Sequence, residues 1–296
     1  MVGCGPDLSV QVYKHNHQPR PVRRGYPVSM MTLPRVALLP VAALALIGLL
    51  VPALSGCTAT KRRVLGRTVA IANVESVVPE RGPVNAPVSK VVPLFGVIVE
   101  NANGSVIVIA DPSVNVPEVR AKVYGLDDRE SRRSGTVPAW VAASIEKYDN
   151  VNTLQVLAAD PSGENRSVDL RVVVPATAFV NVNNSGGNIE ITGIGGNLQI
   201  SNGLADGRGG RVHVRTDKAL KDGALIRVRN GDVSLTFGKG TAGKLDAKGR
   251  SVNIRTDGIT PKGVIADTDS YQGELGSLGK DMIIRVVDGK LTLLVE

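Results

Sequence analysis

Cysteine is nearly absent: Cys4 and Cys57 are the only two in 296 residues. That excludes a disulfide framework and any zinc site built from several thiolates. Histidine is scarce too, at three, and His15 and His17 precede a long apolar run that reads as a leader. Only His213 is left for histidine chemistry. One imidazole cannot complete an N/S metal set, and no Gly-x-Ser-x-Gly elbow leads into a helix to supply a serine nucleophile. Aromatics make up 3% of the chain, with a single tryptophan. Ordinary sandwich and enzyme cores use more. What remains is Val, Ile and Leu with 33 glycines. A thin aliphatic core with glycine at its corners suits a solenoid of short strands.

The one long apolar run, Val36 to Leu54, follows Arg20, Arg23, Arg24 and Arg35 and ends on Leu54-Ser55-Gly56-Cys57. A basic n-region, an apolar h-region and small residues at its end make a secretory signal. Ending on Leu-Ser-Gly-Cys, residues 31–57 resemble the bacterial lipoprotein signal. The resemblance implies diacylglycerol on the Cys57 thiol, cleavage after Gly56 and a further acyl chain, palmitate for instance, on the new N-terminus. The alternative is an uncleaved anchor, since 19 apolar residues just span a bilayer. Pro40, Gly48 and Pro52 make that a poor permanent helix. Met30 and Met31 both stand where a start would leave an ordinary signal, so either translation starts at one of them or residues 1–29 are an unusual extension of the signal. With the leader removed, five Lys/Arg and Asp7 go and the net charge of +8 falls to +4. So mild a charge does not argue for nucleic acid, and none is expected as a partner.

The expected organisation is a signal segment over 1–56, a lipid-anchored flexible tether over 57–93 and an all-β domain over 94–296. Pro79, Pro83, Pro87 and Pro93 favour an extended tether. Lys61-Arg62-Arg63 beside the lipid suits anionic headgroups, or is simply solvated. Gly96–Glu100 and Ser105–Ile109 flank Asn103-Gly104, a strong turn signal. Val119–Tyr124 reads as a strand, and Thr153–Ala158 and Val168–Val174 as a pair. Val137–Tyr148 reads as one helix, with Pro138 in its first turn and Trp140 as a core plug. From Phe179 on, alternating pairs recur: Val212/Val214, Ile226/Val228, Val252/Ile254, Ile284/Val286, Leu291/Leu293. Between such pieces stand Asn202-Gly203, Asn230-Gly231, Asp257-Gly258 and Asp288-Gly289, spaced 28, 27 and 31 residues apart. Asx and glycine accept the left-handed conformation that a sharp corner requires.

The order Gly96-Val97-Ile98-Val99-Glu100-Asn101-Ala102-Asn103-Gly104-Ser105-Val106, then Val168–Pro175, then Asx-Gly coils resembles the bacterial "putative adhesin" β-strand-repeat family. The resemblance covers about 93–296. It implies a right-handed β-helix-like solenoid with one small helical insertion. It carries no established activity, since that family's function is largely unknown.

The chemistry is sparse. His213 faces outward between Val212 and Val214. Gly193–Gly196 and Gly207–Gly210 do not open helices and read as corners rather than phosphate cradles. Asp267-Thr268-Asp269 lacks the rest of a calcium loop. Asp206, Asp217, Asp222 and Asp232 could gather for glycoside hydrolysis only if the fold brings two of them about 5–10 Å apart. No cofactor or metal is expected, and no enzymatic role. Strand alternation turns Arg211, Arg215, Arg227, Arg229 and Arg255 outward. Stacked coils would line them into an anion-binding stripe. The alternative is charge that keeps a flat face soluble and discourages edge pairing. Three functions stay open. The first is a lipid-anchored envelope protein that binds an anionic polysaccharide or another surface protein, on the outer membrane or the outer face of the cytoplasmic membrane. The others are a carbohydrate-active β-helix enzyme and a purely structural envelope component.

Overall fold

The structure, a computed structural model, describes residues 63–72, 92–126, 138, 140–159, 166–205 and 207–296. All lie within the unit Thr58–Glu296. The signal segment and Cys57 lie outside the described residues. Strands come in this order: β1 (Arg63–Thr68), β2 (Ile71–Ala72), β3 (Leu94–Asn101), β4 (Val106–Ala110), β5 (Glu118–Leu126). Then follow β6 (Val141–Tyr148), β7 (Val151–Ala158), β8 (Ser167–Val174), β9 (Ala176–Asn184) and β10 (Gly186–Thr192). The repeat region holds β11 (Asn197–Asn202), β12 (Arg208–Arg215), β13 (Ala224–Arg229), β14 (Val233–Phe237) and β15 (Lys244–Lys248). The chain closes with β16 (Ser251–Thr256), β17 (Lys262–Ala266), β18 (Ser270–Glu274), β19 (Met282–Val287) and β20 (Lys290–Val295). No helix occurs among the described residues.

Two open mixed sheets hold these strands. Sheet A runs β1-β5-β8-β4-β10-β12-β14-β20-β16, and sheet B runs β17-β18-β15-β19-β13-β11-β9-β3-β7-β6-β2. From β9 to β14 the chain steps from one sheet to the other at every strand. Each strand pairs in parallel with the one two places along. One B strand plus one A strand therefore makes a coil. Within strands, alternation sends Val, Ile and Leu to the space between the sheets, where both sheets feed one buried cluster. Each such side chain contributes about 1.5–3 kcal/mol on burial. Val212, Val214, Ile226, Val228, Ile284 and Leu293 are all buried there, as expected. Val252 and Ile254 are only partly buried, because β16 is the last strand of sheet A.

The coils do not stack in chain order. Pairing places them as β7–β8, β3–β4, β9–β10, β11–β12, β13–β14, β19–β20, β15–β16. The first and last coils of the sequence each insert one place inward from an end of the stack. β7 and β8 are therefore not the pair expected from sequence. They lie in different sheets and flank the first coil.

The expected helix over 137–148 is absent: β6 is a strand, antiparallel to β7. Val141, Ala143 and Ile145 are buried at period two. Asp149 (φ 47°) and Asn150 (φ 63°) link β6 to β7 as a two-residue turn of the type that suits a hairpin's twist. The segment carries helical spacing and an equally good strand alternation, and pairing to β7 decides between them. Trp140 does pack against the core. Part of the expected tether is also sheet. β1 pairs with β5 along Arg63–Thr68, and β2 pairs with β6.

The Asx-Gly corners explain the coil spacing. Three of the four turn the chain from sheet B to sheet A. Asp257-Gly258 follows β16 and turns it the other way. Asn230 (φ 56°) and Asp288 (φ 59°) are themselves left-handed, whereas at Asn202-Gly203 the glycine is (φ 71°). Asn202 is buried instead and belongs to a ladder with Asn101 and Asn184. Asn184 Nδ2 donates to Gly186 O (2.9 Å), Gly104 O (3.1 Å) and Asn202 Oδ1 (3.3 Å). Beside this ladder the corner backbones of successive coils nearly touch. A Cβ on Gly187, Gly210, Gly231 or Gly289 would sit 2.0–2.5 Å from the carbonyl oxygen of the glycine one coil before.

Candidate functional site

The five arginines expected to form one stripe are all exposed, but they divide between two faces. Arg211 and Arg215 belong to β12 and Arg255 to β16, all in sheet A. Arg227 and Arg229 belong to β13 in sheet B. Because both sheets bury their inner faces in a common core, their outer faces point away from each other. Within sheet A, Arg215 and Arg255 share a row but are three strand spacings apart, about 14 Å. Thr236 and Leu294 stand between them. Arg211 is held at its backbone, where its N–H donates to Asn188 Oδ1 at 2.9 Å.

Sheet B gathers cations more tightly. β13, β19 and β15 run parallel, and register sets Arg227, Arg285 and Lys248 side by side on the outer face. Neighbouring strands are about 4.8 Å apart. Arg285 and Lys248 were not singled out in the sequence, because nothing in it places β19 between β13 and β15. Like charges directly opposite are destabilising unless compensated. The compensation is partial. Arg285 donates through Nη1 to Asp246 O (2.8 Å) and Ile284 O (3.0 Å), and its Nη2 is ion-paired with the Asp246 carboxylate. Asp246 Oδ1 is buried without a partner. Arg227 and Lys248 flank this pair, and Arg229 stands one outward position further along β13.

A shallow depression of about 420 Å³ adjoins the row, lined among others by Lys244, Asp246, Lys262, Gln272, Glu274 and Ile283. Glu274 lies opposite Lys244 in the β15–β18 pairing. Ile283 and Val287 of β19 are exposed apolar side chains between the charges. The face thus offers fixed cations, amide and carboxylate hydrogen-bonding groups and apolar patches on a rigid sheet. Those are the means to hold an extended anionic chain.

The other residues considered do not converge. His213 is half-buried on sheet A between Glu190 and Ser234. Asp217 and Asp222 are exposed between β12 and β13, whereas Asp232 is at the opposite corner, where its Oδ1 accepts from Lys290 N at 2.9 Å. Asp206 lies outside the described residues. The Asp267–Asp269 segment covers the free edge of β16: Val252 N donates to Thr268 O and Gly249 N to Asp269 O, both at 2.9 Å. The glycine run at 193–196 is a corner, as expected, whereas of 207–210 only Gly207 precedes strand β12; Gly193, Gly196 and Gly207 are left-handed.

No protein family and no curated protein matches this chain. Among solved structures it is similar to a "putative cell adhesion protein" from Clostridium sporogenes, at 10% identity and TM-score 0.42, covering 80% of this chain and 100% of that one. It is also similar to a "putative adhesin" from Bacteroides fragilis, at 10% identity and TM-score 0.29, with 78% and 97% covered. A third, a "putative adhesin" from Parabacteroides merdae, has 12% identity and TM-score 0.26, with 79% and 96% covered. At these TM-scores, what the face can do is read from its own residues.

Proposed function

We propose that this is a lipid-anchored cell-envelope protein whose coiled β domain binds an anionic envelope polysaccharide without catalysing a reaction on it. The carrying observation is the row Arg227–Arg285–Lys248, three cations held in register on an exposed rigid sheet. A single exposed ion pair contributes only about 0–1 kcal/mol, so useful affinity needs several cations acting on one polymer. The winding is right-handed, the hand that parallel crossovers take. Anchoring follows from Leu54-Ser55-Gly56-Cys57, and stable attachment needs about two acyl chains. The protein then sits on the outer membrane or on the outer face of the cytoplasmic membrane.

The test is retention on an anionic glycan column. Wild type is retained at low salt and released as salt screens the charges, over about 8 Å at physiological ionic strength. Changing Arg227, Arg229 and Lys248 together to Ser abolishes retention with the melting temperature nearly unchanged. The matching Arg211, Arg215 and Arg255 change leaves it intact. Wild type that passes straight through at low salt refutes the reading and favours another surface protein as partner, or a purely structural role. Anchoring is tested separately by the mass of the N-terminal peptide. A Cys57→Ser chain that is processed and retained on membranes like wild type would sink it. The second reading, a glycan-cleaving enzyme, draws on Asp246, Glu274 and Asp281 lining the depression. It requires new reducing ends that disappear in Glu274→Gln.

A further inference from the structure

We infer that the outer face of sheet A at β1, β5 and β8 rests on an anionic lipid surface. This rests on the lipid anchoring of Cys57 proposed above. Only five residues of chain, 58–62, separate Cys57 from Arg63, where β1 begins. Fully extended, the six steps between the two reach about 20 Å. The 57–93 segment therefore does not lift the domain far off a membrane, because β1 is already hydrogen-bonded to β5 as the first strand of sheet A. Whatever this end of the sheet presents can therefore reach the headgroups.

What it presents is basic. Arg120 of β5 and Arg171 of β8 are direct cross-strand partners, and Lys122 stands opposite both Gly66 of β1 and Asp169 of β8. Side chains so paired are about 4.5–5.5 Å apart at Cβ, and like charges there repel unless something anionic lies between them. The local acids offset these charges only in part. Glu118 is ion-paired with Arg120, and Asp169, opposite Lys122, accepts from Tyr124 OH (2.7 Å) and from Ser105 N (2.9 Å). Arg171 has no ion-pair partner among the described residues. Lys122 Nζ stands 5.2 Å from the centre of the Tyr124 ring. With these cations, Gly66, Thr68, Ile107 and Asp169 line a shallow depression of about 420 Å³, open enough to admit a phosphate headgroup. The anionic leaflet attracts Lys and Arg only within about a Debye length, and the short link lets these three come within that range. The Arg227 row on the opposite sheet stays free for a polymer.

Trp140, the only tryptophan, lies at this end of the stack, just before β6. It is a built-in donor to dansyl-headgroup lipid. The full chain, purified in its lipidated form, is reconstituted on phosphatidylcholine vesicles with and without phosphatidylglycerol. Transfer from Trp140 is expected to be at least about twofold higher with phosphatidylglycerol and to fall with salt. Each cation removed should weaken the membrane-apposed state about fivefold. The combined Arg120, Lys122 and Arg171 to Ser variant should thus return transfer to the neutral-lipid level. The Arg227, Arg229 and Lys248 variant should not. Arg171→Glu alone, the smaller change, should show the same direction should the triple variant melt early. Equal transfer on both vesicles, or a folded triple variant that behaves like wild type, overturns the inference. Failure of anchoring reads differently: the chain then floats off both kinds of vesicle, which overturns both proposals. A chain that stays bound with an unmodified Cys57 but retains the lipid-dependent transfer overturns only the anchoring.

Discussion

Replacing Gly231 by alanine isolates the contact that spaces the coils. Gly231 is not among the left-handed residues, so alanine is conformationally acceptable there. Its Cβ, however, would lie 2.0 Å from Gly210 O and 2.6 Å from Gly210 C. Ordinary contact needs about 3.5 Å, so the corner must open by more than about 1 Å. The neighbour is backbone and cannot swing aside. The next coil presses from the other side, since a Cβ on Gly289 would lie 2.0 Å from Gly231 O. Opening the corner stretches Val212 N→Asp232 O and Asn230 N→Val287 O, each 2.9 Å, beyond useful hydrogen-bond length. Losing two such bonds at about 1–2 kcal/mol each gives a cost of about 2–4 kcal/mol. At about 2–4 °C per kcal/mol for a domain of this size, the melting temperature should drop by roughly 10 °C. Gly258 is the control. It is left-handed (φ 68°) with nothing within 4 Å of where a Cβ would lie, so alanine there costs about 1–2 kcal/mol through backbone conformation alone. Thermal melts followed by far-UV circular dichroism compare the two. Gly231→Ala melting like wild type, or above Gly258→Ala, would refute the corner-packing account.

Val214→Ala should lose about 2 kcal/mol in chemical denaturation, whereas Val252→Ala on the edge strand β16 should lose under about 1 kcal/mol; equal losses would contradict the burial difference. Asn184→Ala strips donors from Gly186 O, Gly104 O and Asn202 Oδ1 and should cost about 2–3 kcal/mol. The exposed neighbour Asn183→Ala should be nearly silent in the same assay. A chain ending at Asp281 loses β19 and β20, which are interior to both sheets, so it should show no cooperative melt. A truncated chain melting within a few degrees of wild type would mean the last coil is an accessory.

Much of the all-β architecture was legible from local chemistry. Alternation of Val, Ile and Leu with polar residues assigns the inner positions 212, 214, 226 and 228 without knowledge of any partner. Asn-Gly and Asp-Gly pairs mark corners because few residues accept positive φ. The same alternation turns each arginine outward. Where an outward residue ends up is another matter, since that depends on which sheet its strand joins and which strand lies beside it. Parallel neighbours come from distant parts of the chain, and local sequence carries no address for them. Hence one expected stripe became two faces, and Arg285 and Lys248 joined Arg227 only through the insertion of β19 between β13 and β15. The 137–148 segment failed for a related reason. Ala-rich Val141–Tyr148 satisfies both a helical and a strand period, and the hairpin with β7 settled the choice. The sequence by itself determined which side of each strand is buried and where the chain turns. The tertiary structure alone decided which coils are neighbours, because that choice is made by backbone pairing and corner packing, to which every coil's side chains are nearly indifferent.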